Sequence, residues 1–126
     1  MKYDYGENVT FQGDLAIHLD THFSKLINDK EIQKGSNNFE LYSEEDNLEE
    51  LNKRLITCNV KFIHPLKEQP CQKMVIRFYD PDMNIIEVGE SMVHTAKQLS
   101  SIGNPKEHIT ELMSVPITQI SQWLSE

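Results

Sequence analysis

Apolar and polar positions alternate in short runs along the first half of the chain, then give way to helical spacing near the end. Val9 and Phe11 alternate, Gln12-Gly13-Asp14 has the residues of a tight turn, and Leu15, Ile17 and Leu19 share one strand face opposite Ala16, His18 and Asp20. His22 to Asn28 is read as a helical turn or an irregular excursion, and the polar stretch from Lys30 to Asn37 as a connection. Asn38 to Tyr42 then predicts a strand with Phe39 and Leu41 on one face and Asn38, Glu40 and Tyr42 on the other. Asp46 and Glu49 have capping-box spacing ahead of a helix whose apolar stripe is Leu48, Leu51, Leu55 and Ile56.

The period changes again at Val60. Val60, Phe62 and His64 alternate with Lys61 and Ile63, Pro65 ends or interrupts that strand, and Leu66 to Gln72 is a loop around Pro70. Lys73 to Tyr79 predicts a strand with Val75, Arg77 and Tyr79 facing away from Met74, Ile76 and Phe78. Asp80 to Asn84 is a turn, and Ile85 to Gly89 is the last strand. Three helices follow. The first, with Met92, Val93, Ala96 and Leu99, stops near Gly103. The second is capped by Asn104 ahead of Pro105 and carries Ile109 and Leu112; the third begins at Pro116 and packs through Ile117, Ile120, Trp123 and Leu124.

Composition narrows the classes of function. Apolar residues make up 38% and charged residues 25% of 126, ordinary for one domain. A net charge of -8 with no basic stripe argues against nucleic acid as partner. No apolar run approaches the roughly 18 residues a membrane span needs, and no signal-peptide pattern is present, so a cytoplasmic location is expected. The two cysteines, Cys58 and Cys71, have neither disulfide-scaffold density nor zinc-site spacing, and neither has a histidine placed for nucleophilic catalysis.

The element order and several local motifs together resemble the vicinal oxygen chelate superfamily of glyoxalases, bleomycin-resistance proteins and extradiol dioxygenases. The match runs through Asn37-Asn38-Phe39-Glu40-Leu41-Tyr42, Phe62-Ile63-His64-Pro65 with Glu68-Gln69-Pro70, and Arg77-Phe78-Tyr79-Asp80-Pro81-Asp82. It ends in Asn84-Ile85-Ile86-Glu87-Val88-Gly89-Glu90, its most specific part. The resemblance implies an α+β fold in which a βαβββ module (residues 38–90) and a partial preceding module (1–37) form a cupped mixed sheet. A helical tail (91–126) then packs on this domain of residues 1–90 or on a partner. The opening strand and first helix of the first module have no counterpart. Their surface is left to a second subunit or to the tail, or else the natural protein is longer; a homodimer is expected.

In such a module the last-strand carboxylate often holds a divalent metal, which makes Glu87 a candidate metal ligand, with His18 in the equivalent strand context of the first module. Asn38 stands where histidine is common and is a weak donor, and the neighbouring Glu40 is read as structural. His64, Arg77, Tyr42 and Tyr79 are the candidate contacts to a small organic ligand. Imidazole can shuttle a proton or position a group, guanidinium binds carboxylate or phosphate in a bidentate way, and tyrosines make pocket walls. Met83 replaces a turn glycine of the family, with Asn84 expected to take the left-handed conformation instead. The expected function is small-molecule binding of the glyoxalase/bleomycin-resistance type. The alternatives are a divalent-metal-dependent lyase or dioxygenase and a partner-dependent structural subunit.

Overall fold

The structure, a computed structural model of the full chain, describes residues 1–13, 15–35 and 37–126. The expected turn at Gln12-Gly13-Asp14 and connection 30–37 therefore include one position each, Asp14 and Ser36, outside the described residues. The chain divides into two units, 1–34 and 35–126.

The first unit holds β1 (Tyr3–Asp4), β2 (Asn8–Thr10), β3 (Ala16–His18) and α1 (Asp20–Leu26). The strands form an antiparallel sheet with β2 in the centre, pairing Val9 with both Asp4 and Ile17. Alternation places Leu15, Ile17 and Leu19 together as expected, yet all three are about half exposed, and α1 buries no residue.

The second unit holds β4 (Glu40–Glu44), α2 (Leu48–Thr57), β5 (Lys61–Glu68), β6 (Met74–Tyr79), β7 (Ile85–Gly89), α3 (Met92–Ser101), α4 (Lys106–Met113) and α5 (Ile117–Ser125). Its mixed sheet has the order β4-β7-β6-β5, with β4 parallel to β7 and the other pairs antiparallel. The expected single cupped sheet is not formed. The strands fall into two separate sheets, and the four-stranded one is not curved into a cup. Among the described residues, the ladders of β1, β2 and β3 run within the first unit, and that of β4 runs to β7.

One face of the larger sheet is covered by α2. Leu48, Ile76 and Val88 are buried there, with Leu51, Leu55, Phe62, Leu66, Met74, Phe78 and Ile86 packed around them. Ile56, expected in that stripe, is exposed instead. The helix starts one residue later than capping-box spacing suggested. Asn47 is the N-cap and accepts the Glu50 N–H, whereas Asp46 turns to accept the backbone N–H of Ser91 at 2.8 Å. Helices α3, α4 and α5 pack on one another through Ala96, Ile109, Met113 and Ile120, forming a second core. Asn104, the expected cap of α4, donates to the Leu99 carbonyl, and Pro105 takes the cap position. No helix among the described residues is long and apolar enough to cross a membrane.

Strand β5 runs through Pro65 to Glu68 rather than ending there. The proline is tolerated because β5 is an edge strand, where a missing N–H interrupts no inner ladder. After β6, Asp80 Oδ1 accepts the N–H groups of Asp82 and Asn84, and Met83 itself takes the left-handed conformation (φ 64°) expected of Asn84.

Candidate functional site

The face of the larger sheet opposite α2 carries a polar row to which every strand contributes. Register pairs Tyr42 on β4 with Glu87 on β7, Glu87 with Arg77 on β6, and Arg77 with His64 on β5. Strand alternation explains Glu87 and Arg77. It does not explain His64, since Phe62 and His64 have the same parity and should share a face. The register shifts between Phe62 and His64 and again between His64 and Lys67. The first bulge leaves Phe62 opposite Phe78 in the α2-side core and turns His64 to the other face beside Arg77.

Arg77 is the hub. Its Nη2 donates to Glu87 Oε2 at 2.5 Å, its Nε to Glu40 Oε2 at 2.9 Å, and its Nη1 to His64 Nε2 at 3.2 Å. His64 Nδ1 in turn donates to the Pro65 carbonyl at 2.9 Å, a pattern that selects the tautomer with the proton on Nδ1. One guanidinium thus serves two carboxylates of unequal environment. Glu87 is buried, and that burial together with the Glu40 carboxylate pushes its carboxyl above the usual value despite Arg77. Glu40, more exposed, is held below its usual value by the hydrogen bond from Arg77.

The tyrosines flank this row. Tyr42 Oη donates to Glu44 Oε1 at 3.0 Å and accepts from Lys73, whose Nζ lies 4.4 Å from the Tyr42 ring centre. Burial raises the Tyr42 hydroxyl above its usual range. Tyr79 Oη donates to Asn37 Oδ1 at 3.0 Å, and Lys61 stands over its ring. Four expected ligand contacts, His64, Arg77, Tyr42 and Tyr79, therefore lie on one sheet face with Glu87. His18 belongs to the first unit. Its ring stacks on His22 with centroids 5.3 Å apart, and its buried Nδ1 has no hydrogen-bond partner among the described residues.

Two members of the row lie beyond the expected site. Glu40, expected to be structural, shares the parity of Tyr42 and joins the row through Arg77. Lys73, outside the expected contacts, has the parity of Val75 and Arg77. It reaches Tyr42 across Gly89, where any side chain would collide with its Cε and Nζ.

The matches to known proteins agree with this architecture. Residues 1–93 match the model of the glyoxalase-like domain. The chain belongs to this family. It is a distant member of the glyoxalase/bleomycin-resistance superfamily. It resembles a protein of unknown function from Agrobacterium tumefaciens str. C58, with 37% identity over 71% of this chain and 72% of that one and a TM-score of 0.63. It shares its fold with a glyoxalase-related enzyme from Fulvimarina pelagi, at 18% identity, a TM-score of 0.60 and coverage of 72% and 69%. A glyoxalase/bleomycin resistance protein/dioxygenase from Nocardioides is also similar in fold, at 17% identity, a TM-score of 0.52 and coverage of 70% and 64%. No curated protein matches.

A divalent metal is common in the glyoxalase superfamily, and the donors of this chain's second unit do not fit one. The Glu87 carboxylate is already bonded to a guanidinium, and a divalent cation placed beside it would meet the fixed charge of Arg77. Among the described residues, no group of three or more His, Cys, Asp or Glu side chains is gathered as a metal site.

Proposed function

We propose that this glyoxalase-like protein binds a small organic ligand on the polar face of its four-stranded sheet, with Arg77 at the centre of the site. The supporting observation is the Arg77 hub, a fixed cation that takes the Glu87 carboxylate and aligns Glu40 and His64 beside it. Tyr42 and Tyr79 supply aromatic surface at either side of the hub, and His64 and the tyrosine hydroxyls supply polar contacts that orient a ligand. This reading favours sequestration over a metal-dependent lyase or dioxygenase, because the guanidinium occupies the carboxylate such chemistry would need.

The test is a screen of small organic compounds against the intact chain by thermal shift, followed by calorimetric titration of each hit. Saturable binding that Arg77→Met weakens by about tenfold or more supports the proposal. Hits whose affinity is unchanged in Arg77→Met, or no saturable binding at all, overturn it.

A further inference from the structure

The opposite side of the same sheet holds a second concave site that is separate from Arg77. A cavity of about 390 Å³ opens between the start of α2, strands β5 and β6, and α3. Its apolar floor is Leu48, Leu66 and Met74, and its polar wall is Asp46, Glu49, Glu90 and His94. The volume lies in the range of small-molecule sites, far larger than one ion requires.

Glu90 is the informative residue. Its side chain is 8% exposed, and it follows β7 with the parity of Ile86 and Val88, which turns it to the α2 side. Oε2 accepts the Met74 N–H at 3.1 Å and stands 3.4 Å from the Thr95 hydroxyl. Oε1 makes no such bond; the nearest ionisable nitrogen is His94 Nε2 at 3.9 Å, too far for a hydrogen bond. Oε1 is open to the cavity, so its lone pairs are free to accept from a donor on a bound molecule. His94 Nδ1 stands equally far, 3.9 Å, from Asp46 Oδ2. Asp46 is fixed by the Ser91 N–H at 2.8 Å, a bond that holds its carboxyl below the usual range and keeps it ionised.

Charge decides the class of occupant. Three carboxylates line the cavity and no lysine or arginine does. The N-terminus of α2 also points this way, but Glu49 and Glu50 in its first turn and the Asn47 cap offset its positive end. A bare metal ion suits the apolar floor poorly, since it would keep its water. The geometry points to a binding site for a small organic amine, its ammonium group donating to Glu90 Oε1 and its alkyl part resting on Leu48, Leu66 and Met74.

Butylammonium chloride titrated into the full chain, followed by backbone amide chemical shifts, tests this. Saturable shifts confined to the α2 start, Met74 and α3 are expected, with sodium butyrate giving none. Glu90→Gln should weaken the response by about tenfold. Gln98→Trp, which fills the cavity mouth from the exposed side of α3, should abolish it while leaving the rest of the spectrum unchanged; this variant decides the matter where Glu90→Gln does not fold. No saturation, an equal response to butyrate, or full affinity in a folded Gln98→Trp overturns the inference.

Discussion

At the scale of single residues, Arg77 and the two carboxylates carry the sharpest consequences. Arg77→Met leaves Glu87 buried without its cation, so the folded state should lose about 1–2 kcal/mol, less than a fully buried pair because Arg77 and Glu40 are both partly solvated. Urea denaturation near neutral pH measures this, and an unchanged midpoint would show that the hub contributes nothing to stability. The carboxylates act in opposite directions with pH. Glu87 is held above its ordinary 4.5, so its proton is bound more tightly in the folded chain. Its contribution is greatest below pH 4.5 and is lost as pH rises through the folded value. Glu40 is held below 4.5, so its contribution is complete above that pH and is lost as pH falls through the lowered value. Glu87→Gln should therefore flatten the stability profile just above pH 4.5 while keeping the acid-side loss due to Glu40. Identical profiles for variant and parent would contradict this. Glu87 and Arg77 were legible in sequence because strand parity and the turn at Asp80–Asn84 fix their faces. Their direct bond was not, since it depends on the register in which the β6–β7 hairpin closes.

Elements explain where that legibility ended. The order of strands and helices in residues 38–90 follows from periodicity, but β5 breaks the rule that a fixed period sets a fixed face. Two bulges let it follow β6 while Phe62 enters the core and His64 leaves it. The bulge has a testable implication. Ile63 is the unpaired residue between them and is 42% exposed. Deleting it would make Phe62 and His64 adjacent, and ordinary alternation would then send them to the same opposite faces they occupy now. The deletion should fold with a loss below about 1 kcal/mol and keep the Arg77 side-chain resonances seen by NMR. Deleting Ile76 from β6 should instead unfold the chain, because it moves a central strand by one residue and exchanges core and polar faces. Equal damage from both deletions would mean that the bulge does not set the register. Gly89 shows a similar interplay. Its missing side chain is what allows Lys73 to cross to Tyr42, so Gly89→Ala should displace Lys73. Val75 Cγ1, at 3.2 Å from the added Cβ, is buried and has little room to yield.

For the whole molecule, the contrast between the two units matters most. The second unit has two apolar cores, one under α2 and one within the tail helices. The first unit has no buried residue among those described and leaves Leu15, Ile17 and Leu19 exposed in one row, with Phe23 and Leu26 of α1 also exposed. The alternation that forms this row was plain in the sequence; that its residues stay about half exposed was not, because burial depends on what packs against a strand. An apolar row on a short sheet with open edges favours association, and a second copy of the chain is the partner we propose for it. Light scattering after size exclusion should give a mass of twice 14.6 kDa. Ile17→Lys places a charge in the middle of the row at a position that is already 55% exposed, so the monomer should still fold. The variant should elute at 14.6 kDa with an unchanged far-ultraviolet dichroism spectrum. A parent chain that is monomeric at high concentration, or an Ile17→Lys variant that stays dimeric, would mean that the row is not the surface through which copies meet.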